Sequence, residues 1–364
     1  MRIHQLVVGA SPGDAVTEAA LRTRSALRLV ADSEIYGVHV HASLAGNVRR
    51  IEDYPRDGAH EDILIHHVSI GEPGLTDFVC RSPERLVLAY HNITPSRFFQ
   101  SFNPEFASRL RDGRVELRLL AAHASAAIAA SRFNALELES LGIPNVEVAP
   151  PPLNVGRLLD AEPDAGLVDE IAMDGQPLVL VVGQLLPHKR PDLAVDVHHL
   201  LTVNHFSQAR MIIAGSMGQT MFGSAVVRHV ESLKLGTVRV TGAVSDAQLS
   251  AMFRRASAVL IPSEHEGFCV PMMEAMSFGV PVVTRDFGAL EETAGGAALV
   301  LPAGATAADL CEAVSRVLSD QALTEDLRRR GLERAAQFSP DATLAGWMEA
   351  FSRAIRPGRA AVPA

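Results

Sequence analysis

The sequence predicts an α/β protein built from two doubly wound parallel-sheet domains, and three observations carry that expectation. Short apolar runs ending in Gly, Ser, His or Pro alternate along the chain with longer segments of helical period, the pattern of buried parallel strands joined by crossover helices. The pattern comes in two sets, divided at Ala149-Pro150-Pro151-Pro152-Leu153-Asn154, where consecutive prolines forbid helix and disfavour a sheet interior. With 364 residues, 48% of them hydrophobic, the chain can fill two cores at about 100–200 residues per domain.

Taken in order, the chain opens with one arginine and an apolar run that passes directly into Gly9, Ser11, Pro12 and Asp14, so residues 3–8 read as a first strand and not as a signal peptide. Further strands are expected at 34–40, 63–68, 86–90, 126–130 and 146–148, which makes residues 1–152 the first domain. The prolines mark the hinge. Strands at 178–182, 211–214, 238–241, 258–261, 280–284 and 298–301 form the second domain, residues 153–340. Its helices carry apolar stripes such as Leu193, Ala194, Val197, Leu200 and Leu201, or Ala307, Leu310, Cys311, Val314 and Val317, which are core faces without chemistry. A last helix over 341–356, with Leu344, Trp347, Met348, Phe351 and Ile355 on one side, is expected to pack back on the first domain. The tail 357–364 lacks periodicity and is expected to fray.

Composition excludes several functions. Charged residues make up 21% and the net charge is −9, which disfavours a nucleic-acid or anionic-membrane binder and leaves at most peripheral membrane contact. No apolar stretch reaches the roughly 18 residues of a membrane helix. Cys80, Cys269 and Cys311 show no C-x-x-C spacing, which points to a reducing cytoplasm, free or at the inner face of the membrane. There is no D-x-D, and no His, Cys or carboxylate group has metal-ligand spacing, so neither a metal nor a cofactor is expected. Of 33 basic residues only Lys189 and Lys234 are lysines, so a lysine inside a motif stands out.

The most informative stretch runs from Pro262 to Val283. A buried strand ends at Pro262, a loop with Gly267 follows, and a helix begins near Pro271, a residue favoured in the first helical turn. Unpaired N–H groups and the positive dipole end make such a start a site for a diphosphate. Glu266 lies in the loop and Glu274 one turn into the helix. Two carboxylates beside an anion would repel it, so they need another use. Each can accept two hydrogen bonds from the vicinal hydroxyls of a ribose or hexose, and a diphosphate between two sugars, a sugar nucleotide, satisfies both requirements.

The run Glu266-Gly267-Phe268 to Pro271, Glu274-Ala275-Met276, Gly279 and Pro281 resembles the E-x7-E signature of the family-four retaining glycosyltransferases of GT-B fold. Three other segments fall in that family's order: Val182-Gly183-Gln184-Leu185-Leu186-Pro187-His188-Lys189-Arg190-Pro191-Asp192, Ala214-Gly215-Ser216, and Thr241-Gly242-Ala243-Val244-Ser245-Asp246. The match is strong over residues 177–302 and weak in the first domain.

The resemblance implies two Rossmann-like domains facing each other across a cleft, with the donor held mainly by the second. By it, Glu274 holds the donor ribose and Glu266 the hydroxyls of the transferred sugar, while the amides of Phe268, Cys269 and Val270 line phosphate and sugar. Lys189 neutralises the diphosphate as the glycosidic bond breaks, and backbone near Val244 meets the base. The family commonly places Arg directly after the glycine equivalent to Gly183; here the residue is Gln184, so either neighbouring Arg190 supplies the missing charge or the site works with one cation fewer. In the first domain His91, within Tyr90-His91-Asn92-Ile93-Thr94, resembles the family histidine that contacts the transferred sugar, the structural alternative being a satisfied strand-end histidine. His66 and His67 read as structural or acceptor-side, and Ser131 and Arg132 echo another family position. The loop with Gly13 and Asp14 resembles the family's first loop on the acceptor side; a plain strand-to-helix turn reads equally well. Arg109, Arg111, Arg114 and Arg118 read as a solvated face.

The expected function is retaining transfer of a sugar from a UDP- or GDP-type donor to a hydroxyl of a glycan, lipid-linked or natural-product acceptor. The alternatives are a nucleotide-sugar epimerase or phosphorylase of the same fold, or a catalytically idle nucleotide-sugar-binding partner subunit.

Overall fold

A computed structural model describes residues 1–172, 175–217 and 221–356; the tail expected to fray lies outside them. The first unit is built on seven parallel strands: β1 Ile3–Ala10, β2 Ile35–Val40, β3 Arg49–Arg50, β4 Ile63–Val68, β5 Arg85–Tyr90, β6 Ala124–Ala129 and β7 Val146–Val148. They lie in the order β3-β2-β1-β4-β5-β6-β7. Helices α1 Ala15–Leu27, α2 Pro73–Arg81, α3 Pro104–His123 and α4 Arg132–Ser140 connect them. Strands β1, β4, β5 and β6 are buried over most of their length, which is why they read as continuous apolar runs instead of alternating ones.

The second unit repeats the plan. Helices α5 Arg157–Asp160 and α6 Ala165–Ala172 lead into β8 Leu178–Val182, α7 Pro191–Asn204, β9 Arg210–Ala214, α8 Met221–Ser232, β10 Val238–Gly242, α9 Asp246–Arg255 and β11 Ala258–Ile261. There follow α10 Val270–Ser277, β12 Val282–Arg285, α11 Leu290–Ala294, β13 Leu299–Leu301, α12 Ala307–Ser319 and α13 Gln321–Ala336. The six strands are parallel in the order β10-β9-β8-β11-β12-β13. Val179, Val181, Leu193, Val197, Leu201, Met211, Leu260 and Val314 share its core, so the helical stripes of the sequence face the sheet as expected.

The chain then returns to the first unit in α14 Pro340–Ala354. Trp347 and Phe351, stacked with ring centroids 5.6 Å apart, are buried with Ile3, Ile63, Ile65, Val87 and Ile128. Arg353 adds a 2.9 Å bond to Glu147, and Arg85 one of 2.9 Å to the Ile355 carbonyl.

The structure departs from the sequence reading in several places. Residues 98–103, read as part of the first domain, belong to the second unit: the Phe102 ring meets Phe222 edge-on at 4.8 Å, and Phe98 and Phe99 lie 6.0 and 5.8 Å from His188. Aromatic packing decides the matter there, and periodicity has nothing to say about it. The first strand runs two residues further than expected because Gly9 and Ala10 still pair with His39 and Val40. Strand β3 was not foreseen, since an exposed Arg-Arg pair on a sheet edge has no apolar signal.

Candidate functional site

In both sheets the strand order reverses at one point, between β1 and β4 in the first and between β8 and β11 in the second. Loops leaving the carboxyl ends of two such strands diverge and leave a crevice, where open α/β sheets bind ligands. In the second unit these loops are residues 183–190 and 262–269, so topology brings together segments some 75 residues apart.

There the Lys189 ammonium lies 2.7 Å from both Glu266 oxygens. Burial works against the charged amine, but the Glu266 carboxylate more than offsets it and raises the Lys189 pKa. The Glu264 amide donates to the His188 carbonyl at 2.7 Å, pinning the two loops together, and the Ala289 amide donates to the Glu266 carbonyl at 3.0 Å. Gly288 at φ +64 presses on this segment so closely that a Cβ would stand 2.4 Å from the Glu266 carbonyl oxygen. Glu266 is 6% exposed, a carboxylate aimed inward at its partner.

Helix α10 begins on Cys269 in the left-handed conformation, φ 79, with proline in its first turn and no side chain capping it. The cap position thus places no side-chain hydrogen bond on the leading turn. Thr293 Oγ1 donates to the Phe268 carbonyl at 2.5 Å and fixes the approach to the helix. The Cys269 thiol is buried, with its pKa pushed up by desolvation and by Glu266, so it is not a nucleophile. Glu274, 4% exposed, accepts from Arg157 Nη2 at 3.2 Å, and Arg157 also pairs with Asp246 at the start of α9. Arg157 thus ties the Val244–Asp246 turn to Glu274. Sequence reasoning missed it: one arginine among many, 117 positions from its partner, carries no local signal.

Gly183, φ +145, sits where the loops after β8 and β9 touch, since a Cβ on Gly215 would lie 2.0 Å from the Gly183 carbonyl oxygen. Gly183, Gln184, Lys189, Pro262 and Ser263 line one small recess. Gln184 is exposed. Arg190, φ 53, is occupied elsewhere: its guanidinium bonds both Asp192 oxygens at 3.0–3.1 Å and pairs with Glu264. The expectation that Arg190 replaces the missing arginine therefore meets a guanidinium already engaged by two carboxylates.

In the first unit His91 directly follows β5, and its Nε2 lies 2.9 Å from Nδ1 of His67. Burial holds the His91 pKa down to about 4, and pushes that of His67 well below its ordinary value, with His91 and His66 adding to the effect. Gly13 takes φ +74, and Asp14 caps α1 by accepting from Thr17 N and Thr17 Oγ1, each at 2.8 Å, so this loop has the full chemistry of a strand-to-helix turn. Ser131 likewise caps α4. The arginine face of α3 is partly engaged: Arg114 holds Glu137 and the Ile93 carbonyl, and Arg109 holds Glu72 at 3.3 Å.

Among the described residues one cluster, His205, Cys311 and Glu312, brings potential metal-ligand atoms within 4.8 Å of one another. Spacing along the chain could not show it, because the end of α7 and the middle of α12 meet only in the fold. Burial first and then Glu312 push the Cys311 thiol up to about 11, which keeps it protonated and a poor ligand. No helix of the described residues is long and apolar enough to cross a membrane.

Residues 169–334 match the family model described as "Glycosyl transferases group 1". Among curated proteins the chain is 29% identical over 232 residues to a D-inositol 3-phosphate glycosyltransferase of Nocardia farcinica, covering 60% of this chain and 50% of that one. It is 32% identical over 167 residues to the O-antigen chain mannosyltransferase B of Escherichia coli, covering 45% and 42%. The chain thus spans about half the length of the curated relatives it matches. Among solved structures it resembles Anabaena HepE in complex with UDP-glucose, TM-score 0.75 at 18% identity over 97% of this chain and 99% of that one. It also resembles the sucrose-phosphate synthase of Thermosynechococcus elongatus, TM-score 0.73 at 17% identity over 97% and 98%. At such identities these likenesses show the fold, which is GT-B, two parallel-sheet α/β units.

Proposed function

Because residues 169–334 match the family model of the group 1 glycosyl transferases, we propose that this chain transfers a sugar, with retention at the anomeric carbon, from a nucleoside-diphosphate sugar to an acceptor hydroxyl. The observation that carries the reading is the meeting, at one switch point, of the Lys189–Glu266 pair, the uncapped start of α10 and buried Glu274. The diphosphate lies against Lys189 and the α10 amides of Phe268, Cys269 and Val270; the ribose hydroxyls donate to Glu274, and the transferred sugar's hydroxyls donate to Glu266. Entry of the diphosphate divides the Lys189 ammonium between phosphate and carboxylate. As the anomeric C–O bond breaks, negative charge grows on the leaving phosphate, where Lys189 and the helix end stabilise it most. The acceptor hydroxyl attacks from the leaving-group face and its proton passes to a donor phosphate oxygen. The first unit holds the acceptor, a glycan, lipid-linked or natural-product hydroxyl, with His91 toward the transferred sugar. The reaction takes place in the cytoplasm or at the inner face of the membrane, without metal.

UDP is the first base to try, since HepE was solved with UDP-glucose and with UDP. The test is a panel of UDP-, GDP-, ADP- and dTDP-sugars, scored for binding and slow donor hydrolysis in EDTA. Micromolar binding with hydrolysis for one nucleotide class is expected; binding to none, or activity that appears only on adding magnesium or manganese, overturns the reading.

Gln184 supplies a second expectation. With Arg190 held by Asp192 and Glu264, the site works with one phosphate cation fewer, so Gln184→Arg gains roughly tenfold in donor kcat/KM, the value of a charged hydrogen bond of about 1.5–3 kcal/mol. Arg190→Ala is expected to lower thermal stability more than donor affinity. The reverse pattern, a silent Gln184→Arg and a severe loss of donor affinity in Arg190→Ala, would show that Arg190 leaves its carboxylates for the phosphate.

A further inference from the structure

The first unit contains a chain of hydrogen bonds whose direction is decided by chemistry at one end. Gln5 lies in β1 and His67 in β4, neighbouring strands of the sheet, and each is at most 2% exposed. Gln5 Nε2 donates to the Ala20 carbonyl at 3.2 Å. A carbonyl oxygen only accepts, so the amide nitrogen must face it and Gln5 Oε1 must face the other way. That oxygen lies 2.9 Å from His67 Nε2, which therefore carries the proton. A neutral imidazole has one N–H, so His67 Nδ1 is a lone pair, and His91 Nε2, 2.9 Å away, must be the donor to it. The two rings are 14° from coplanar with centroids 5.2 Å apart, the separation of a hydrogen bond made in the ring planes. The remaining nitrogen, His91 Nδ1, is left as a lone pair, and no described residue bonds it.

We propose that Gln5 and His67 are positioning residues that set His91 as its Nε2–H tautomer, so that His91 presents a hydrogen-bond acceptor, and only an acceptor, to the ligand. This rests on the proposed role of His91 beside the transferred sugar. The group that His91 meets is then a donor, a neutral sugar hydroxyl, and a carboxylate or other anionic acceptor in that place is rejected by the lone pair. The buried chain explains why two polar residues stand inside apolar strands: each is satisfied, and the order of donors and acceptors leaves no alternative while both rings are neutral.

The experiment is two-bond 1H–15N correlation NMR of histidine-labelled, ligand-free protein near pH 7, with the His91 signals assigned by loss in His91→Gln. The wild type is expected to show His91 with protonated Nε2 and unprotonated Nδ1. Gln5→Met removes the acceptor at similar size and is expected to give a mixture of His91 tautomers, whereas Gln5→Glu, whose carboxylate still accepts from His67 Nε2, is expected to retain the wild-type form. Turnover should follow the tautomer, with kcat/KM for the donor down about tenfold in Gln5→Met and largely restored in Gln5→Glu. A wild-type His91 protonated on Nδ1 overturns the proposal without any variant having to fold, and so does a Gln5→Met spectrum identical to wild type. If the spectra come out as expected but no donor is turned over, the relay stands and the glycosyltransferase reading fails.

Discussion

Lys189→Met is expected to lower kcat by about 10²–10³-fold, the cost of removing one charge-stabilising donor from a preorganised site. The same change leaves the Glu266 carboxylate, 6% exposed and bonded through both oxygens to Lys189, without its partner. Breaking a buried pair from one side costs about 3–5 kcal/mol, so the melting temperature should fall as well. Lys189→Met combined with Glu266→Gln removes both charges and should recover most of the stability while staying inactive. Calorimetry and single-turnover kinetics on the three variants separate the pair's structural role from its chemical one. An active Lys189→Met, or a double variant no more stable than the single one, would contradict the assignment.

Glu274→Ala is expected to weaken binding of the free nucleoside diphosphate by roughly tenfold or more, since a carboxylate that accepts from ribose hydroxyls does so in ground and transition states alike. Transfer falls with it. Glu266→Ala should spare affinity for the nucleoside diphosphate and lose turnover, because on the proposed reading it meets only the sugar being moved. Titration calorimetry with the diphosphate that the donor panel selects reads both variants. Equal loss of affinity in the two would remove this division of labour. Arg157 sharpens the test: it bonds the Glu274 carboxylate that the proposed reading offers to the ribose, so Arg157→Ala is expected to alter nucleotide affinity while leaving Glu266 and Lys189 in place.

The physical difference between legible and illegible features runs through individual residues. The strand 258–261 could be read to its ends because all four side chains are buried and apolar, and Pro262 closes it. The start of α10 could be read from Pro271, whose ring fits a first helical turn. Glu266, Glu274 and Lys189 could be singled out because each stands in an ordered run of neighbours, and the fold brings Lys189 to Glu266. Arg157 and Gln5 were not. A polar residue within the apolar run 3–8 was the only hint of Gln5, and its partners His67 and His91 lie in or just after other strands.

By itself, then, the sequence determined what short-range chemistry and periodicity can encode: parallel strands with crossover helices, the proline break near 150, a helix start suited to an anion, and two carboxylates beside it. Tertiary structure alone decided who faces whom. It joined Lys189 to Glu266 and Arg157 to Glu274, turned Arg190 toward Asp192 and Glu264, carried residues 98–103 to the second unit, and ordered Gln5, His67 and His91 into one hydrogen-bond chain. The reason is that side-chain pairing depends on strand order and on distances in space, and a parallel sheet sets both through crossovers that separate the partners by tens of residues in the chain.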